Sequence, residues 1–240
     1  MTDPNTAIER VLAVAAHPDD TEFGFGGTVA KLVADGASVT YVVCTDGSQG
    51  GEDPSVPDEE LTAIRYREQQ AAAEVLGVGE VRFLGYPDGH LQVDLEFRRR
   101  IVAEIRRARP DLILTHSPHR RLTMPMGVSH PDHLAVGETT LQAVYPDARN
   151  PRAFRDLLSQ GLEPHRVREI WMPAGGDGDH VVDITDHVEK KIDAVYCHAS
   201  QLGARANQNG HGDWIRERAR RNGERFGVEY AEVFERLAVG

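Results

Sequence analysis

Two short segments hold the residues best suited to chemistry. The first, Ala16-His17-Pro18-Asp19-Asp20, sets one imidazole and two carboxylates side by side. Borderline divalent metals such as zinc accept that mixture of nitrogen and oxygen donors, at about 2.0–2.2 Å. Pro18 fixes one backbone angle between the donors. An Asp-Asp pair ahead of a helix also reads as an N-cap plus a charge favourable to the helix dipole. The segment alone therefore leaves a metal site and a helix cap equally open.

The second segment, Ser129-His130-Pro131-Asp132-His133, adds two imidazoles that one helical turn brings to the same side. Pro131 suits a first helical turn. With His17 and Asp20, these histidines supply what a catalytic zinc needs: three protein ligands and an open position for water.

Elements must bring the two segments together. Residues 11–15 predict a strand buried on both faces, ending just before His17, and 21–34 predict the helix that follows. Residues 39–45 read as a β-branched strand, 46–57 as a glycine-rich loop, and 58–76 as a helix closed by Gly77. A strand over 81–84, a turn-rich loop over 85–90, a helix over 95–108 and a strand over 111–116 continue the alternation. This order predicts the α/β class: a Rossmann-like three-layer sandwich, its central sheet mostly parallel, in one domain spanning 1–240. In such sheets ligands sit outside the carboxyl ends of the strands, where both segments fall. The C-terminal third is less regular. Strands are expected at 169–172 and 181–184, helices at 186–201 and 214–226, and either a strand or a short helix at 230–237.

Composition narrows the function. At 240 residues with 40% apolar and 27% charged residues, the chain can bury a full core. A net charge of −11 argues against nucleic acid or an anionic membrane as partner, and no apolar run reaches the ~20 residues of a membrane span. The arginine clusters at 98–100 and 216–221 read as solvated helix faces. Two cysteines, Cys44 and Cys197, fit a reducing, cytoplasmic setting, and the polar first ten residues do not resemble a signal peptide. The run Gly24-Phe25-Gly26-Gly27 departs from dinucleotide-binding spacing, and Asp19, Asp20 and Glu22 crowd the place of a pyrophosphate.

AHPDD near the start and HPDH near the middle, in that order, resemble the LmbE-like (PIG-L) N-deacetylases. The resemblance extends through Arg65, Glu68 and Leu76-Gly77-Val78, the loop Tyr86-Pro87-Asp88-Gly89, and Lys191, Ala194, His198, Ser200 and Gln201. It implies zinc-dependent hydrolysis of an N-acyl amide, most simply deacetylation of an N-acetylglucosamine-type sugar or conjugate. One zinc per chain would be held by His17, Asp20 and His133, other divalent metals remaining open. Asp19 would be the general base, and His130 would stabilise the oxyanion as a cation or protonate the leaving amine. Arg65 and Asp88 match positions that bind the sugar, with an ion pair to Glu68 as the other reading of Arg65. Glu22 reads as a helix first-turn or supporting acid, and His198 as a structural residue on its helix. Some relatives form trimers or hexamers, so a homo-oligomer is compatible with the resemblance.

One departure stands out. Some members carry a Tyr two residues before the first His of HPDH, where this chain has Val128. The loop 116–127, mixing His116, His119, Arg120, Met124 and Met126, reads as a lid or as a solvated surface loop. Three other uses of these residues are an amidase for a thiol conjugate or other non-sugar amide, a phosphoesterase, and a non-catalytic binding protein. Phosphoesterases favour two metals ~3.5–4 Å apart and more carboxylates. The presence of both Asp19 and His130 speaks against the binding protein.

Overall fold

Runs of β-branched residues alternate with amphipathic helices, and a computed structural model shows how they pair. It describes residues 7–51, 53–122, 125–174, 178–203 and 210–239. The parallel half comprises β1 (Arg10–Ala15), α1 (Asp20–Ala34), β2 (Ser38–Thr45), α2 (Asp58–Leu76), β3 (Glu80–Tyr86), α3 (Leu95–Ala108), β4 (Leu112–Thr115) and α4 (Pro131–Gln142). A short helix α5 (Arg155–Leu158) leads to β5 (Glu169–Pro173) and β6 (His180–Asp183). Helices α6 (Val188–Tyr196), α7 (Ala199–Leu202) and α8 (Asp213–Glu224) and the strand β7 (Ala231–Ala238) complete the described elements.

The strands form one seven-stranded sheet in the order β3-β2-β1-β4-β5-β7-β6. The first five neighbours run parallel, while β7 is antiparallel to both β5 and β6. Side chains alternate across a strand, and β1 obeys this: Val11 and Ala13 enter one core, Leu12 and Val14 the other. The first core contains side chains of α1, α2, α6 and α8; the second contains those of α3 and α4. This is the three-layer, mostly parallel architecture expected.

The chain leaves β1 toward β2 on one side and returns as β4 on the other. The strand order thus reverses at β1, and a crevice opens beyond the carboxyl ends of β1 and β4. His17 follows β1 directly, and His133 lies in the first turn of α4.

The C-terminal third needs correcting. Where the sequence allows either a strand or a short helix at 230–237, the structure has the strand β7 at Ala231–Ala238, which inserts between β5 and β6. The helix expected over 186–201 is broken into a 3-10 turn at Thr185–His187, then α6 and α7. His198 therefore lies at the break rather than on a helix, and its fully buried ring reaches Glu22 at 2.9 Å. Periodicity could not show this contact, because Glu22 lies far away in the sequence.

Gly137 lets α4 approach the chain that leaves β4. A Cβ there would lie 2.6 Å from the His116 carbonyl oxygen and 2.8 Å from the Pro118 nitrogen. Backbone atoms cannot move aside as a side-chain tip would. Gly137→Ala should cost about 1–3 kcal/mol by overpacking and shift the helix that carries His133. A thermal melt of the variant alongside a zinc titration checks both, and an unchanged melting temperature with unchanged affinity would contradict the close approach.

Candidate active site

The backbone after β1 turns sharply. Asp19 occupies φ 105°, a region costly for residues with a Cβ, and α1 starts at Asp20. Asp19 stands at the N-cap, yet its side chain caps nothing. Its carboxylate instead accepts from Arg65 Nη2 at 3.3 Å, while Asp20 Oδ2 accepts the His17 N–H at 2.7 Å. The helix-cap reading of the Asp-Asp pair thus fails for Asp19. At the other segment, Pro131 occupies the first turn of α4, and His130 Nδ1 accepts the Asp132 N–H at 3.2 Å.

The two segments converge. His17 Nδ1 lies 3.2 Å from His133 Nε2 and 3.2 Å from Asp20 Oδ2, and His133 Nε2 lies 3.1 Å from Asp20 Oδ1. Donors about 2.0–2.1 Å from a tetrahedral ion sit roughly 3.3 Å apart. The three expected ligands thus meet at distances close to that value, a different Asp20 oxygen facing each histidine. Among the described residues the groups with metal-binding spacing are His17, His130 and His133; Asp20, His116 and His133; and His17, Asp88 and Asp132.

The opposite edge of His17 faces two more carboxylates. Asp88 Oδ1 is 3.0 Å and Asp132 Oδ2 3.2 Å from His17 Nε2. Asp132 is fully buried and also accepts the Gly89 and Leu91 N–H groups at 2.7 and 3.1 Å. Asp88 accepts the Gln49 N–H at 3.1 Å. Backbone donors thus hold both acids in place to orient the ring through its outer nitrogen, a common arrangement around metal-binding histidines. Asp132 had no assigned role from sequence; its position between two histidines was the only available signal.

His116, in the loop that the sequence reads as a lid or a solvated surface loop, lies at this site. Its Nε2 accepts the Ala16 N–H at 3.1 Å, lies 3.3 Å from Asp20 Oδ2, and its ring stacks on His133 with centroids 4.1 Å apart. Of the remaining lid residues, Thr123 and Met124 lie outside those described, while Leu122 and Met126 are exposed. Arg65 is buried and does not pair with Glu68, whose carboxylate takes the Ser200 N–H and hydroxyl instead. Arg65 donates to the carbonyls of Pro18 and Gly47, at 2.6 and 2.7 Å, as well as to Asp19.

The electrostatics separate the two acids. Burial, with Asp20 close by, raises the Asp19 carboxyl to about 7. Burial acts the same way on Asp20, but His133 and His116 overcome it and hold that group well below the usual carboxylate range. Burial alone would lower His17, yet Asp132 and Asp20 push it up to about 12. Burial and the neighbouring His17 and His133 hold His130 below its ordinary range, which favours a neutral donor over the cation expected.

A cavity of about 280 Å³ opens onto these groups, lined by His17, Asp19, Arg65, Asp88, His130 and His133 among others. A larger cavity of about 420 Å³, between α8, β7 and the start of α1, contains none of the metal-spaced donors. Val128 faces that larger cavity.

The fold and the site together define a class: a parallel-sheet protein whose switch point gathers a His/Asp group able to hold a metal. The chain belongs to the PIG-L family, whose profile, described as GlcNAc-PI de-N-acetylase, matches residues 12–144. Diacetylchitobiose deacetylase of Thermococcus kodakarensis is 36% identical over 202 residues, covering 84% of this chain and 73% of that protein. A probable N-acetyl-alpha-D-glucosaminyl L-malate deacetylase 2 of Bacillus anthracis is 30% identical, covering 83% of this chain and 84% of that one. The structure of N,N'-diacetylchitobiose deacetylase from Pyrococcus horikoshii superposes with a TM-score of 0.87 at 32% identity, covering 99% of this chain and 88% of that one.

Coordination through His17 requires that its Nδ1 give up a proton held up to about 12. One proton should therefore leave for each metal bound, and apparent affinity should rise about tenfold per pH unit between about pH 6 and pH 8. Calorimetric zinc titrations of chelator-treated protein test this, and an affinity that does not change between pH 7 and pH 8 would show that His17 does not hold its proton that tightly.

Proposed function

We propose that this chain is a metal-dependent N-deacetylase acting on an N-acetylglucosamine-type sugar or conjugate, with one zinc held by His17, Asp20 and His133. The observation that carries the reading is the convergence of three residues beside Asp19: His17 Nδ1 and His133 Nε2 lie 3.2 Å apart, and each faces one Asp20 oxygen at 3.1–3.2 Å. The named relatives support the substrate class, since those described as diacetylchitobiose and N-acetylglucosaminyl malate deacetylases share an N-acetylglucosamine unit.

The metal, when bound, supplies Lewis acidity that acidifies water and polarises a carbonyl oxygen. Asp19, raised to about 7, is matched to taking a proton from the attacking water at neutral pH and passing it to the leaving amine. His130 accepts at Nδ1 from its own helix turn, so Nε2 carries the hydrogen that it offers to the developing oxyanion. Asp88 and Asp132 keep the His17 ring from turning. Arg65 and Asp88 line the cavity and are assigned to substrate hydroxyls as well, each sharing that task with its hold on Asp19 or His17.

No helix among the described residues is long and apolar enough to cross a membrane. Cys44 and Cys197 are both free, which supports the expected reducing, cytoplasmic setting.

Asp19→Asn should lower kcat by ~10²–10⁴ and leave metal stoichiometry unchanged. An amine-release assay on N-acetylglucosamine oligosaccharides, with metal analysis of the same samples, measures both. Retention of full activity would dismiss Asp19 as the base. Turnover of other amides with none of acetylated sugars would instead assign the chain to the non-sugar amidases.

A further inference from the structure

The peptide unit between Pro18 and Asp19 is gripped at both ends by one helix. Its carbonyl oxygen accepts from Arg65 Nη2 at 2.6 Å, and its N–H donates to Gln69 Oε1 at 2.9 Å. Arg65 and Gln69 are four residues apart on α2, so they project from one face. The same peptide leads into the positive φ of Asp19; the local turn, closed by the Asp20 N–H on the His17 carbonyl at 3.3 Å, suits a glycine at that position, and Asp19 carries a Cβ and makes no cap contact.

Gln69 is fully buried, and its amide has one workable orientation. Its Nε2 donates to both oxygens of Glu22, at 3.1 Å each, and to Thr21 Oγ1 at 3.2 Å. Flipping the amide would set a carbonyl oxygen against a carboxylate and two N–H groups against the Asp19 N–H. Glu22 is fixed in turn by the Thr21 hydroxyl at 2.7 Å and by His198 Nε2 at 2.9 Å. Thr21, Glu22, Gln69 and His198 are all fully buried, so none of these bonds competes with water. The break between α6 and α7 places His198 against Glu22, which links the C-terminal third to the loop carrying the base.

Resting on the proposed deacetylase reading, we infer that Gln69 is a positioning residue for Asp19: with Arg65 it clamps the Pro18–Asp19 peptide in its turned orientation and so aims the Asp19 carboxylate into the cavity. Glu22 and His198 serve Gln69, which explains why two acid–base residues sit at zero exposure outside the donor groups with metal spacing. Substrate binding does not use this contact, so its loss falls on kcat rather than on KM.

Gln69→Met keeps the volume and removes the polar contacts to Asp19, Glu22 and Thr21. It should lower kcat about a hundredfold, the scale of a ~1 Å misplacement of a reacting group, with KM within twofold and metal stoichiometry unchanged. A double exchange then separates aim from mere packing. In Glu22→Gln with Gln69→Glu, the carboxylate at 69 accepts the Asp19 N–H and the amide at 22 donates to it. The oxygen of that amide still accepts from His198 and Thr21. This pair should recover at least tenfold over Gln69→Met, whereas Gln69→Glu alone sets two carboxylates together and should not.

Amide hydrogen exchange at Asp19 reads the clamp without any substrate. Exchange should quicken more than tenfold in Gln69→Met while the amides of β1 keep their rates. Unchanged kcat and Asp19 exchange in Gln69→Met would overturn the inference, as would a folded double variant no faster than Gln69→Met. If Gln69→Met does not fold, the double variant is compared with the wild type: kcat and Asp19 exchange within tenfold of wild type support the clamp, and a kcat lowered more than tenfold with Asp19 exchange unchanged overturns it. If the wild-type protein cleaves no amide while the Asp19 exchange behaves as stated, the deacetylase reading fails and the clamp stands.

Discussion

Three carboxylates closing on a single imidazole dominate this structure. Asp20 lies against one nitrogen of His17, while Asp88 and Asp132 lie against the other. Acids so close repel one another unless positive charge sits among them, and burial leaves little water to screen the repulsion. The fold holds them in place with backbone donors: the N–H groups of Gly89 and Leu91 for Asp132, of Gln49 for Asp88, and of His17 for Asp20. That investment in fixed acceptors makes sense for a site built around a cation.

The sheet makes such a convergence achievable. Because β1 lies between β2 and β4, the loops after β1, β2, β3 and β4 all open at one edge. They deliver His17, Gln49, Asp88 and His116 respectively, and α4 adds His130 and His133. No loop has to be long to reach the others. Residues distant in sequence therefore meet on rigid supports, which suits side chains that must keep ångström-scale spacing.

Acid–base character is divided by the same geometry. Asp19 and Asp20 are adjacent and chemically identical, yet their carboxyls move in opposite directions. Asp20 turns toward imidazoles, which favour its charge. Asp19 turns toward Arg65 and the cavity at a positive φ, with Asp20 close enough to raise it. One turned peptide bond separates the proposed base from the proposed ligand. Helix α2, which contributes none of the metal-spaced donors, matters because it holds that peptide.

By itself the sequence determined the alternating α/β order, the parallel half of the sheet, and the two segments His17–Asp20 and His130–His133 as partners in one site. Those features are local: β-branched runs, helix periodicity and motif spacing report them directly, and the family's motifs survive as contiguous strings. Only the tertiary structure decided the rest. Asp132 and His116 were visible as residues, but their roles depend on chains that meet from other strands. The Arg65 side chain turns from Glu68 to a backbone carbonyl for a reason absent from its own helix, and the break at His198 sets its ring against Glu22, a residue of a distant helix. The strand assignment of 231–238 likewise needed β5 and β6 as neighbours, since a short mixed segment takes the conformation its hydrogen-bonding partners offer. Periodicity records how a segment packs, whereas polar contacts between distant segments leave no period to read.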